Sequence, residues 1–248
     1  MTRLMRAEWY RFSHSGSVFR IYIATCLLSV AMSYINSPDI LDMTLLDAFT
    51  ASVNNSAVLW LPMFVGCPIA VSIGNSYGNR TAFYEIMDGS DISRIILSKC
   101  AVYSLASLLF YVVPFTALMT VLAIKNGIGD ISSMAVFIIM ALLAVIRLFS
   151  CSVLWAMLTR HSVAGAMLIF MLYGELQGAL FAVLLEFYHM SPETVLKIQE
   201  WFYFGHFSFA SSNSGESRYI IAALAGTAIE VGVLYLLVYS SYKNKKIG

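Results

Sequence analysis

Charge is what this chain has least of. Asp, Glu, Lys and Arg make up only 12% of its 248 residues, about half the share in an ordinary soluble domain. That excludes a normally solvated surface over most of the chain. No G-x-x-x-x-G-K-[ST] is present, so ATP held in the P-loop manner is excluded. No H-E-x-x-H or C-x-x-C occurs either. The four cysteines (Cys26, Cys67, Cys100, Cys151) are far apart in or beside apolar runs, as small packing residues are. An intramembrane protease needs a G-x-S-x-G-type serine with a histidine from another span. The histidines, His14, His161, His189 and His206, all fall outside the apolar runs. Catalysis by this chain is not expected, nor a bound metal, a cofactor of its own or a nucleic-acid partner.

What is abundant is long apolar sequence. Six runs, 18–35, 57–78, 100–124, 134–158, 163–185 and 219–242, fill most of the length. A helix needs about 20 mostly apolar residues to cross the hydrocarbon core, and lipid offers a backbone amide no partner. The expected fold class is therefore all-α, a polytopic integral membrane protein with six transmembrane helices. Residues 18–248 form that six-helix domain.

The basic residues set its expected orientation. Arg3, Arg6, Arg11 and Arg20 precede the first run, and Arg80, Arg94 and Lys99 lie in the 79–99 loop. Arg160 separates runs four and five, while Lys243, Lys245 and Lys246 follow the sixth. The opposite loops hold Lys125, Lys197 and Arg218. The bias puts both termini in the cytoplasm.

Residues 1–17 do not read as a signal peptide, because arginines interleave with the apolar residues and no small-residue cleavage site follows. Leu4, Met5, Trp9 and Phe12 fall on one side at helical spacing, with Arg3, Arg6 and Arg11 placed to reach phosphate head groups. This predicts an interfacial helix lying flat on the cytoplasmic surface, against the plainer reading of a basic tail.

In the first outer loop, Asp39, Asp42 and Asp47 occur with no basic residue, and the run from Ile40 to Phe49 predicts a short helix on the outer interface. Pro62, Gly66 and Pro68 predict a kink in the second run. Gly74 and Gly78 stand at a spacing that lets helices approach closely. On the cytoplasmic side, 79–99 predicts a short helix, a turn, and a second helix capped by Ser90 or Asp91 that leads into run three. Between runs five and six, Ser191, Pro192 and Glu193 mark a helix start. Val195, Ile198, Trp201 and Phe202 make its apolar face, and the aromatics around it suit a membrane-interface belt, a gate or a contact for a hydrophobic substrate.

Arg147, Glu175 and Glu230 each fall near the middle of a run. A lone charge at the bilayer centre costs about 3 kcal/mol on insertion scales. Arg147 is therefore expected to pair with Glu175 or Glu230. The cluster reads either as a clamp between runs four to six, or as a polar patch on a translocation route or a site for a cationic substrate.

The pattern of an N-terminal LMRAEWYRF helix, six spans with both ends inside, and Glu85, Gly89-Ser90, Ser93-Arg94, Ile95-Ile96-Leu97 and Ser98-Lys99 after span two resembles the ABC-2 permease family. These permeases are the membrane halves of ATP-driven exporters, including lantibiotic and bacitracin self-protection transporters. One departure is Arg80-Thr81 where the family has Gly-Thr. The resemblance implies a bacterial cytoplasmic-membrane permease that does no chemistry. It implies a second permease, the same or a sister chain, and two copies of a cytosolic ABC ATPase that bind the ATP. It also implies that Glu85, Met87, Asp88, Asp91 and Arg94 of the coupling loop 79–99 contact that ATPase. The N-terminal helix becomes an elbow, and 189–217 becomes an outer re-entrant or interfacial loop. The expected cargo is an amphipathic or antimicrobial peptide. Export of a lipid, drug or ion, or a secondary carrier working through the midplane charges, are the alternatives.

Overall fold

The computed structural model describes residues 2–14, 20, 23–24, 27, 39, 42–52, 66–79, 91–186, 188–199, 201–202 and 217–245. Among them the chain is all helical, without a strand. Most of run one, residues 57–65 with Pro62, coupling-loop residues Glu85, Met87 and Asp88, and the aromatics from Tyr203 to Phe209 lie outside the described residues.

Helix α1 (Thr2–His14) docks on protein through a stripe that joins Leu4 and Phe12 of the apolar pattern to Glu8, which that pattern did not mark. Leu4, Glu8 and Phe12 recur every four residues and so share one face. Phe12 is 2% exposed and meets Tyr103 edge-on, while Leu4 packs on the same core. Trp9, expected on the apolar side, is partly exposed, and Arg3 and Arg6 are exposed. Burying Phe12 contributes about 2 kcal/mol, which helps offset the desolvation of the charged residue beside it.

A short helix, α2 (Leu45–Ser52), follows. Its Leu45, Leu46 and Ala48 are buried in a protein cluster with Leu122, Met134 and Ala223. The amides of Leu45 and Leu46 donate to the carbonyls of Gly127 and Ile128, and Lys125 pairs with Asp42 at 2.8 Å. That aspartate thus has a basic partner from the last turn of the helix that ends at Asn126.

Helix α3 (Cys67–Gly78) begins with buried Pro68 in its first turn. Its Gly74 lies so close to the backbone of Ser162 that an added Cβ would overlap it, whereas Gly78 has open space. Only one of the two spaced glycines is a contact. Helix α4 runs unbroken over Ile92–Asn126. Asp91 takes the extended backbone of an N-cap residue, but its side chain makes no capping hydrogen bond. Residues 92–99 are therefore helix continuous with run three, and Lys99 is a helical residue rather than a loop charge.

After the Gly127–Asp130 turn, α5 (Ile131–Thr159) opens on a real cap: the Asp130 carboxylate accepts from the Ser133 amide at 2.9 Å and the Ser132 hydroxyl at 2.6 Å. Those hydrogen bonds, Ser132 first, hold the Asp130 carboxyl down to about 2. Helix α6 (Ser162–Phe170) passes through a π turn, Met171–Glu175, into α7 (Leu176–Glu186). Then come α8 (Pro192–Gln199), started by Ser191 as its sequence implied, and α9 (Ser217–Lys245).

Among the described residues, two helices are long and apolar enough to cross a membrane: α5, at mean hydropathy 2.5, and α9, at 2.1 over Tyr219–Lys243. At 1.5 Å per residue a 29-residue helix is about 43 Å long, more than the hydrocarbon thickness of about 30 Å. They pack along each other, with α3 and α6 on another side of α5. At the end where α3, α5 and α9 meet, the Tyr77 and Tyr242 hydroxyls share a hydrogen bond and the Arg160 guanidinium sits 4.5 Å over the Tyr242 ring.

Candidate functional site

Two buried ion pairs organise the molecule. In the first, Lys99 Nζ of α4 lies 2.5 Å from Glu8 Oε1 of α1, with side-chain exposures of 2% and 4%. Arg11 Nη1 reaches the same oxygen at 3.0 Å. The pair ties α1 to the second turn of α4. Arg94 and Asp91, one turn or so earlier, are exposed. Of the ATPase-coupling residues expected from the resemblance, these two alone fall within the described residues.

The second pair joins the middles of α5 and α9. Arg147 Nη2 is 2.5 Å and Nε 2.6 Å from Glu230 Oε2, and Arg147 Nη1 donates to the Trp201 carbonyl at 2.8 Å. The Tyr173 hydroxyl donates to the other carboxylate oxygen, Glu230 Oε1. Glu230, one of the two acids offered by the sequence, meets Arg147. Glu175 ends the π turn, and its side chain lies outside the described residues. A buried charge stripped of water costs several kcal/mol unless hydrogen bonds replace the lost solvent, and here both oxygens of Glu230 have donors.

Local geometry explains how these groups converge. The π turn widens the helix at residues 171–175; such turns interrupt α-helices mostly as single turns and often at functional sites. Tyr173 sits inside it, 1% exposed. On α9, Gly226 leaves room for the loop after α8, since a Cβ there would come 2.6 Å from the Trp201 oxygen and 3.3 Å from Arg147 Nη1. A larger residue would displace the carbonyl that Arg147 uses.

Beside the pair is a cavity of about 400 Å³. Its walls are mainly aromatic and aliphatic, including Trp155, Tyr173, Trp201 and Phe202, with Leu172, Leu180 and Ile229 toward the opening. Leu180 and Ile229 are exposed, so the opening is on the apolar flank of the helices. The two charges face it unequally: the Glu230 side chain is 28% exposed and that of Arg147 only 5%. The Trp155 indole N–H is buried with no hydrogen-bond partner. An apolar pocket of this size with a few converging polar groups is the usual form of a small-molecule site.

The sequence pattern missed several of these parts. Tyr173 was a polar group inside an apolar run and was open to notice; the Trp201 contribution is a backbone oxygen and leaves no signal. Glu8 was the one acid in a basic helix. Conversely, Gly74-Asn75-Ser76-Tyr77-Gly78 matches G-x-S-x-G, but the motif acts from a strand-to-helix elbow. Ser76 instead lies within α3 with its hydroxyl on the Ile73 carbonyl at 2.6 Å. Among the described residues, no group of three His, Cys, Asp or Glu side chains is placed to hold a metal ion. No protein-family model matches the chain, and a search of curated proteins finds no match.

Proposed function

We propose that this chain is the permease subunit of an ATP-driven exporter of the ABC-2 type, with six membrane spans, both termini cytoplasmic, and α1 as an elbow at the membrane surface. The apolar lengths of α5 and α9 support a membrane location, and the six apolar runs of the sequence supply the remaining spans. The observation that carries the coupling role is the Glu8–Lys99 pair. It fastens α1 to α4 directly after the 79–99 segment, so a push on that segment moves the elbow and the base of α4 as one body. Buried, hydrogen-bonded charge pairs lose several kcal/mol when parted, which makes the joint stiff enough to transmit force. The chain itself does no chemistry; a partner ATPase binds and hydrolyses ATP, and two permeases with two ATPases complete the transporter.

Co-purification in mild detergent tests this reading. Wild-type chain should bring down a P-loop ATPase from its own cells, and an Asp88→Ala/Arg94→Ala variant should bring down markedly less. Recovery of no ATPase from a chain that keeps its fold would sink the proposal. One observation favours a second reading: Glu230 is partly open to a cavity near mid-helix, as in a carrier coupled to an ion or proton. Transport by the chain alone in liposomes, driven by an ion gradient and abolished in Glu230→Gln, would move that reading ahead.

A further inference from the structure

We propose that the cavity between α5, α7 and α9 binds a lipophilic organic cation, with its charged head at Glu230 and its apolar body among the surrounding rings. The volume, about 400 Å³, suits a small molecule rather than a lipid chain or a folded peptide. The polarity of the site is one-sided. Arg147 is turned away, with its Nε and Nη2 on Glu230 and its Nη1 on the Trp201 carbonyl, and is almost wholly buried. Among the described residues that line the cavity, Glu230 is the charged group partly exposed to it. A carboxylate has about four lone-pair positions, and three donor contacts, Nε, Nη2 and the Tyr173 hydroxyl, are made to it. Beside the Trp155 indole N–H, the cavity therefore presents a carboxylate with acceptor capacity left, complementary to an ammonium by hydrogen bonding and to a donor-free cation by charge. The rings of Trp155, Tyr173, Trp201 and Phe202 add negative faces that favour the same charge. An anion would meet that carboxylate and those faces, with the one nearby cation already engaged. The exposed Leu180 and Ile229 at the mouth give an apolar threshold, fitting a ligand that arrives from the hydrocarbon phase.

The export of such a cation rests on the permease reading; its binding does not. Binding is therefore measured on the purified full-length chain without ATPase, by equilibrium dialysis in detergent. The probes are tetraphenylphosphonium and tetraphenylborate, which share a shape and differ in the sign of their charge. Saturable uptake of the phosphonium, at least about tenfold tighter than the borate, is the expected result. It should weaken about tenfold in Glu230→Gln, which keeps a side chain of the same size. It should be lost in Leu172→Trp, which fills the cavity without touching the ion pair. Equal affinity for the two ions, uptake that only follows detergent concentration, or phosphonium binding unchanged in a folded Leu172→Trp chain would overturn the assignment. Should Glu230→Gln not fold, the comparison of the two ions on wild type and the Leu172→Trp variant still decides it. A chain that binds the cation but recovers no ATPase keeps the site and loses the exporter.

Discussion

The Glu8–Lys99 and Arg147–Glu230 pairs have the same chemistry and opposite surroundings. The first is closed on every side: both side chains are at most 4% exposed, and aromatic packing between Phe12 and Tyr103 lies beside it. The second has one closed member and one that looks into a cavity. A closed pair can only hold two helices together, because nothing reaches it without first separating them. A pair open on one side can hold its helices and still offer a remaining carboxylate lone pair to a ligand. The contrast separates a fastener from a site better than the identity of the residues does.

The largest effect should come from breaking the closed pair. Lys99→Met takes the lysine away from the buried Glu8 carboxylate, and should cost about 3–5 kcal/mol in denaturant unfolding. Adding Glu8→Leu should recover most of that, since a buried pair is often replaceable by apolar residues of like volume. A double variant as unstable as the single would show that the charges are doing more than fastening. Arg147→Met should cost less, below about 3 kcal/mol, because Glu230 keeps the Tyr173 hydroxyl and can draw on water in the cavity. A larger loss here than for Lys99→Met would break the distinction between the two surroundings.

Glycine substitutions sharpen it further. Gly74→Ala drives a Cβ into the backbone of the turn before α6, where neither side can yield, and should cost about 1–3 kcal/mol in thermal unfolding. Gly226→Ala presses on the Trp201 carbonyl instead. Both variants gain the helix propensity of Ala, about 1 kcal/mol, but the overlap at Gly226 is milder, 2.6 Å to one carbonyl oxygen against 2.3 Å to backbone atoms at Gly74, so the stability of Gly226→Ala should fall less. Its mark should be on cation binding.

The smallest effect belongs to Asp130, far from both pairs and fully exposed. Its folded pKa, about 2, lies below the unfolded value of about 3.9. The stabilisation is therefore complete above the unfolded value and is lost as pH falls from about 4 toward 2. Asp130→Asn retains a capping oxygen without the titration. Unfolding curves of the two chains should diverge least at the acid end of that window, and a gap that widens on acidification would contradict the assigned cap.

The sequence showed where long helices are and that Arg147 needs a carboxylate at its own depth. It could not show which one, because depth is read along a helix and pairing depends on rotation about it. The α1 helix was legible, but its docked face was not. Leu4, Glu8 and Phe12 share the buried stripe only because Lys99 waits on α4, 91 residues away in sequence. Lys99 itself counted as a cytoplasmic loop charge by position, and only the unbroken run of α4 from Ile92 shows that it is inside a helix. Of the cavity, the sequence marked Trp201, Phe202 and the midplane charges one by one but not their convergence, since its other walls are the common aromatic and aliphatic residues of an apolar chain.

The π turn at Met171–Glu175 bears on how this helix tolerates changes in length. Each α-helical residue advances about 100° around the axis, so an extra residue ordinarily turns everything beyond it to a new direction. A π turn absorbs one residue locally, and α7 keeps the phase that α6 began with. Deleting Gly174 should therefore leave α6 and α7 in register with each other as one plain helix. The cost would fall on a single side chain: Tyr173 would be carried off Glu230, and the oxygen it now occupies would be left for water or for the ligand to satisfy.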